Sequence, residues 1–216
     1  MESSPQRAPE TVLVTRFSAI GDIVLTLPAV QALKRAWPES TVVFATKEPF
    51  RCLVESHPAV DRVLTIASGE SFSSFRARAH AEGIDAILDL HGKLRSAALR
   101  WSSPNARSIT WKKRSTWDNI SVRAGWRTYN PESTIIERYH QAVEDLVGSP
   151  LPRENLSFEV TDTGLSEAQA LLDTLGRDSE RPLLGLSPGA NWATKQWPTQ
   201  SYAEIAERAF DPFFST

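Results

Sequence analysis

TVLVTRFSAIGDIVLTLPAVQALKRAWPESTVVFAT, residues 11–46, decides the fold. Its first five residues, TVLVT, form a β-branched apolar run without polar alternation, the pattern of a strand covered on both faces. TVVFAT at 41–46 is a second such run. Between them Val30, Leu33, Ala36 and Trp37 fall on one helical face. Thr26 is placed to cap a helix that begins near Pro28, and the Trp37-Pro38 pair should stop it. Strand, helix and strand in this order make a βαβ unit, which predicts a parallel sheet.

Further apolar runs at DRVLTI (61–66), IDAILDL (84–90) and PLLGLS (182–187) are predicted strands, and Ile135, Ile136, Tyr139, Val143 and Leu146 share one face of another predicted helix. The predicted fold class is α/β, a Rossmann-like parallel sheet with helices on both faces. LVGSPLPREN, residues 146–155, marks a loop near 147–155, and the polar stretch GRDSERP at 176–182 is the predicted domain break. Too few residues come after that break for an independent α/β domain, which typically needs ~100 or more. The expected organisation is therefore a disordered start at 1–10, a first domain at 11–178, and a second domain that begins at 182 and is still incomplete at 216.

Composition sets outer limits on function. Of 216 residues, 41% are hydrophobic and 23% charged, with a net charge of −2, as in an ordinary globular protein. Cys52 is the sole cysteine, which leaves no intramolecular disulfide and no cysteine cluster for zinc. The polar opening MESSPQRAPE lacks the apolar core of a signal peptide, and no run approaches the ~20 apolar residues of a membrane span, so a cytoplasmic location is expected. His57, His80, His91 and His140 are scattered without ligand spacing, and no bound metal is expected. A single glycine in the first strand-to-helix loop disfavours a dinucleotide fingerprint, and no Walker A sequence occurs.

Three places could carry chemistry. In open parallel sheets ligands bind beyond the carboxyl ends of the strands, where Arg16, Ser18, Gly21 and Asp22 come after the first strand. Gly21 would let a substrate approach the backbone, and Asp22, an anion favoured near a helix start, could accept a proton from a substrate hydroxyl; it could equally be a helix cap. The second place is LSPGANWATKQWPTQSYAEIAE, residues 186–207, where a strand should lead into a small-residue loop, Lys195, and a helix opened by Ser201 with Glu204 three positions on. Here Lys195 either neighbours a phosphate or is a solvated charge. The third is the window 93–127, with nine basic residues, among them Lys93 and Arg95, against one acid, Asp118, and with Trp101, Trp111, Trp117 and Trp126 interleaved. Such a window suits an anionic, sugar-like or membrane-borne partner, or else is a solvated basic face with core tryptophans. The acidic remainder of the chain argues against nucleic acid.

VLVTRFSAIGDIVLTLPAVQALKRAWPESTVVFAT, HPAVDRVL, DAILDLHGKLRSAALRW and LGLSPGANWATKQWPTQSYAEIAE together resemble the glycosyltransferase family 9 heptosyltransferases. The resemblance runs from about residue 11 to 210 and is most specific at its two ends. It implies the two-domain GT-B architecture, with the first domain taking the acceptor and the second the donor. It further implies inverting transfer of a heptose from ADP-heptose to an anionic, lipid-linked acceptor of lipopolysaccharide core assembly at the inner membrane surface, with neither metal nor cofactor. By position, Asp22 would be the general base; Arg16, Ser18, Gly21, Lys93 and Arg95 would lie on the acceptor side; and Ala190, Asn191, Trp192 and Lys195 would contact the donor. Ala190 and Asn191 stand where some members carry hydroxyl side chains. With much of a donor domain unaccounted for, weak or absent transfer by these 216 residues alone is expected. Another nucleotide-sugar GT-B transferase, or a non-catalytic binder of anionic glycolipids, are the competing readings.

Overall fold

The computed structural model describes residues 7–111, 124–125, 134–178, 183–190 and 193–209. The chain divides into two compact units, Met1–Asp162 and Thr163–Thr216. The sequence break at 176–182 lies beyond this division, on the far side of a helix that begins the second unit.

The first unit is built on five parallel strands: β1 (Thr11–Thr15), β2 (Thr41–Lys47), β3 (Arg62–Ile66), β4 (Ala86–Asp89) and β5 (Arg107–Thr110). Their order in the sheet is β3-β2-β1-β4-β5. The register pairs Thr11 with Thr41 on one side of β1 and Thr15 with Asp89 on the other. Among its described residues the unit also holds helices α1 (Ile20–Val24), α2 (Leu27–Ala36), α3 (Phe72–Ala81), α4 (Leu94–Trp101) and α5 (Ile135–Val147), with a 3₁₀ turn at Glu48–Leu53 after β2.

Burial on both faces explains why the strands lack polar alternation. Val12, Val14, Val42, Phe44, Ala86 and Leu88 point into one core with Val30 and Leu33 of α2 and Tyr139, Val143 and Leu146 of α5. Leu13, Val43, Ala45 and Ile87 point into the other, with Phe75 and Ala79 of α3 and Leu99 of α4. Each fully buried Val or Leu contributes roughly 1.5–3 kcal/mol. Predicted strands β1 to β4 and both predicted helical faces are therefore observed. Pro9 and Glu10, in the start expected to be disordered, are tied to the head of β2 by Ser40 Oγ, which donates to the Pro9 carbonyl at 2.6 Å, and by the Thr41 N–H, which donates to the Glu10 carbonyl at 2.8 Å.

Three local expectations are corrected. Thr26 precedes α2, but its own backbone is already helical and its hydroxyl donates to the Ile23 carbonyl at 2.6 Å, so it does not cap α2 through its side chain. The apolar run at 182–187 forms no strand within its described residues 183–187, where Leu183, Leu184 and Leu186 are exposed. No strand of the second unit, among the described residues, offers a ladder to pair with. That unit instead holds α6 (Asp162–Thr174), a 3₁₀ turn at Ala193–Lys195, and α7 (Thr199–Ala209). Ser201 falls inside α7, two residues after its start, and does not open it.

Candidate functional site

The strand order reverses direction beside β1: the chain moves outward from β1 through β2 to β3, then returns to lay β4 and β5 on the opposite side. Loops leaving β1 and β4 therefore diverge and open a crevice at the carboxyl edge of the sheet. A cavity of about 770 Å³ occupies this edge, lined among others by Ser18, Lys47, His91, Lys93, Arg95 and Arg100. Each lining residue owes its place to topology: Ser18 leaves β1, Lys47 ends β2, His91 and Lys93 leave β4, and Arg95 and Arg100 lie on α4.

Asp22 lies at the same edge, in the first turn of α1, with its side chain 38% exposed. One carboxylate oxygen forms an ion pair with an Arg16 guanidinium nitrogen and accepts the Ala19 N–H at 3.3 Å. Asp22 thus does serve as a helix cap, as its position allowed, while remaining open to solvent. Arg16, proposed for acceptor contact, is 7% exposed and faces inward. Its other terminal nitrogen donates to the Leu90 carbonyl at 2.6 Å, and its guanidinium lies 5.8 Å from the Tyr139 ring centre. Arg16 therefore fastens the loop after β1 to the loop after β4. Burial pushes the Tyr139 hydroxyl up to about 12, with the Arg16 charge opposing the rise and the Asp22 charge adding to it.

Gly21 is exposed, has no left-handed φ, and a Cβ there would meet nothing. Neither the backbone nor packing demands a glycine at this position. Gly92 differs, with φ at +61° and a hypothetical Cβ only 3.1 Å from Trp111 Nε1.

A buried carboxylate holds the loop that leaves β4. Asp89 is wholly buried at the end of β4, where one oxygen accepts the Thr15 hydroxyl at 3.1 Å and the His91 and Gly92 N–H groups at 3.0 and 2.9 Å. Arg100 Nε lies 3.2 Å from the other oxygen. These contacts neutralise Asp89, consistent with the rule that buried charges are paired. Lys47, Lys93 and Arg95 then remain as cations without a carboxylate partner among the described residues, and the cavity favours an anion.

His91 was not singled out by the sequence. It stacks edge-to-face on Phe17 at 5.2 Å, and its Nδ1 is buried without a partner. Burial first, then the charges of Arg16 and Lys93, push its imidazole down from 6.5 to about 4, against the opposing pull of Asp89. Lys47 and Arg100 were likewise missed as site residues. Lys47 and His91 share a signal, position at or just beyond a strand's carboxyl end, whereas Arg100 comes late in α4 and carries no such signal.

The structure thus gathers Ser18, Lys93 and Arg95 around one cavity and sets Arg16, Gly21 and Asp22 at the same edge. The basic window is not one uniform face: Trp101 is exposed, whereas Trp111 is core and packs on Tyr139 at 5.0 Å. Lys112, Lys113, Arg114, Trp117, Asp118, Arg123, Trp126 and Arg127 lie outside the described residues. In the second unit Ala190 accepts a hydrogen bond from Gln196 Nε2 at 2.8 Å, and Lys195 ends the 3₁₀ turn, exposed; Asn191 and Trp192 lie outside the described residues. Among the described residues no group of three or more His, Cys, Asp or Glu side chains is arranged to hold a metal, and no helix is long and apolar enough to cross a membrane.

Known proteins of similar sequence and fold point the same way. A lipopolysaccharide heptosyltransferase 1 of Pseudomonas aeruginosa is 29% identical over 212 residues, covering 91% of this chain and 57% of that protein. The corresponding protein of Escherichia coli K12 is 31% identical, with 90% and 63% covered. The chain therefore spans about three fifths of the length of these relatives. Among solved structures, a glycosyl transferase family 9 protein from Veillonella parvula superposes with a TM-score of 0.75 at 21% identity, covering 93% of this chain and 60% of that one. The E. coli ADP-heptose lps heptosyltransferase II gives 0.68 at 22% identity, with 93% and 61% covered, and at such identities the likeness concerns the fold. The profile of glycosyltransferase family 9 (heptosyltransferase) matches residues 73–211, well over half of the sequence, and the chain belongs to that family.

Proposed function

We propose that the first unit is the acceptor half of an inverting sugar transferase, moving a heptose from ADP-heptose to an anionic lipopolysaccharide-core acceptor. The observation that carries this reading is the pairing of a solvent-accessible carboxylate, Asp22, with a cation-lined cavity at one sheet edge. The relatives' names supply the sugar and the acceptor class.

In the proposed reaction the acceptor hydroxyl oxygen attacks the anomeric carbon, the bond from that carbon to the diphosphate oxygen breaks, and the hydroxyl proton passes to Asp22. General-base assistance of this kind is worth about 10²- to 10⁴-fold. Arg16 positions the base, because its buried guanidinium is fixed to the Leu90 carbonyl and leaves Asp22 little freedom to turn away. Lys47, Lys93 and Arg95 hold the acceptor's negative charge. Lys195 is the candidate partner for the departing diphosphate, whose developing charge a cation stabilises. Gly21 keeps the approach to Asp22 unobstructed.

The test is acceptor-dependent release of ADP from ADP-heptose, with the anomeric configuration of the product read by NMR. The reading expects ADP release only when acceptor is present, and an inverted product. A retained configuration in the product, or an acceptor that does not bind, would overturn it, whereas slow release is the outcome expected of these 216 residues alone. A second reading, glycolipid binding without catalysis, is favoured by the engagement of Asp22 with Arg16 and the Ala19 N–H. It expects acceptor binding in the same assay without turnover.

A further inference from the structure

His91 is held firmly in place, yet its ring forms no hydrogen bond among the described residues. Its backbone N–H donates to an Asp89 carboxylate oxygen at 3.0 Å, which sets the start of the loop after β4. Its imidazole meets Phe17 edge-to-face at 5.2 Å, and Phe17 meets Phe75 of α3 in the same manner at 5.8 Å. The core behind it therefore fixes this side chain in the wall of the cavity, with 7% of the residue exposed. The two ring nitrogens differ. Nδ1 is sealed from solvent and has no partner. Nε2 has none among the described residues either, but it is not sealed, and it is the nitrogen that the cavity can reach.

A neutral imidazole carries one N–H, and its surroundings decide on which nitrogen. A proton on Nδ1 would strand a buried donor, and a buried lone pair is the better tolerated of the two, which assigns the proton to Nε2. The ring is neutral near pH 7, because burial and then the charges of Arg16 and Lys93 push it down to about 4. His91 thus differs in kind from the Lys47, Lys93 and Arg95 around it. The cations attract negative charge from a distance, whereas a neutral donor of fixed direction favours an oxygen at one place. We propose that His91 is a specificity-determining residue for the acceptor: its Nε2–H donates to an uncharged sugar oxygen while the neighbouring cations hold the acceptor's negative charge. The proposal deepens the acceptor reading and rests on it for the presence of a sugar in this cavity. A site built to hydrogen-bond a substrate oxygen rejects ligands that lack it far more strongly than an apolar wall does. Packing alone does not account for a histidine here, since a phenylalanine would fill the wall beside Phe17 without burying an unpartnered nitrogen.

The experiment is calorimetric titration of the 216-residue protein and three variants with deacylated, heptose-free lipopolysaccharide core at about pH 7. His91→Phe keeps a ring beside Phe17 and loses the donor. His91→Gln extends an amide N–H to the level of Nε2, and His91→Asn stops at the level of Nδ1. The expected result is an affinity about tenfold weaker for His91→Phe and His91→Asn, the effect of one hydrogen bond, with His91→Gln restored to within about threefold of the unaltered protein. Asparagine and glutamine share one chemistry and differ in reach, so their contrast stands even where a variant loses stability, with circular dichroism giving the folded fraction of each. Unchanged affinity in His91→Phe would overturn the proposal. So would equal affinity in His91→Gln and His91→Asn, whether kept or lost, because reach to Nε2 would then not matter. Rescue by asparagine but not by glutamine would also overturn it, giving the contact to Nδ1. Failure of the acceptor reading looks different: the unaltered protein then does not bind the core at all, and the proposal falls with it.

Discussion

Asp22 is a carboxylate held by a partner that is itself immobilised. Arg16 has one arm on the Leu90 carbonyl and the other on Asp22, and it is buried over Tyr139. Arg16→Met should orphan the Leu90 carbonyl, lowering stability by about 1–3 kcal/mol in urea unfolding, and it should lower kcat more than it raises the acceptor KM. If Arg16 acts through Asp22, the double variant Arg16→Met/Asp22→Asn should turn over no more slowly than Asp22→Asn alone. His91 carries a separate consequence. Its imidazole falls from 6.5 to about 4 on folding, chiefly through burial, so between these values the unfolded chain binds more protons than the folded one. Stability should therefore be fully present above pH ~6.5 and decline, by up to a few kcal/mol, as pH falls towards ~4. Urea midpoints measured across that range should show this slope, and His91→Gln should flatten it. His57, whose imidazole burial also pushes down, would leave a residual slope.

At the scale of elements, legibility in the sequence tracked burial. Strands β1 to β4 were readable because both faces are covered, which forces continuous apolar runs. Strand β5 was not, because it is an edge strand whose four residues RSIT are mostly half-exposed and include a single aliphatic side chain. Helix α3 was also missed, since only Phe75 and Ala79 of its ten residues are buried. The run at 182–187 misled in the opposite sense: its composition is that of a strand, but a strand exists only through its ladder partner. Asp22 and the cations after β4 were legible from their place beyond strand ends. The inward turn of Arg16 was not, because it depends on a carbonyl 74 residues away. The two loop glycines offer a contrast that tests the site. Gly92→Ala should cost about 1–2 kcal/mol from its left-handed backbone alone, with crowding against Trp111 added. Gly21→Ala lies in α1 with open space around it and should leave stability equal or higher by about 0.5–1 kcal/mol, yet reduce turnover if the acceptor passes there.

At the scale of the whole molecule, the buried cores of the described residues belong to the first unit. Among the described residues both cores are drawn entirely from residues before 152, whereas no residue of α6, α7 or the turn at Ala193–Lys195 is buried. A polypeptide ending at Asp162 should accordingly unfold in one cooperative transition, at the same urea midpoint as the 216-residue chain; a broad, non-cooperative transition would show that the first unit depends on residues 163–216 for its stability. The cavity proposed for the acceptor and Asp22 both belong to this unit, so under that proposal acceptor affinity should survive in the shorter polypeptide.

The central claim is that Asp22 takes the proton of the acceptor hydroxyl, and Asp22→Asn tests it most directly, because asparagine keeps the shape and the capping oxygen while losing the basic carboxylate. Turnover of ADP-heptose with an anionic core acceptor should fall about 10²- to 10⁴-fold while the acceptor dissociation constant measured by calorimetry stays unchanged. A variant that transfers sugar at the wild-type rate would contradict the account.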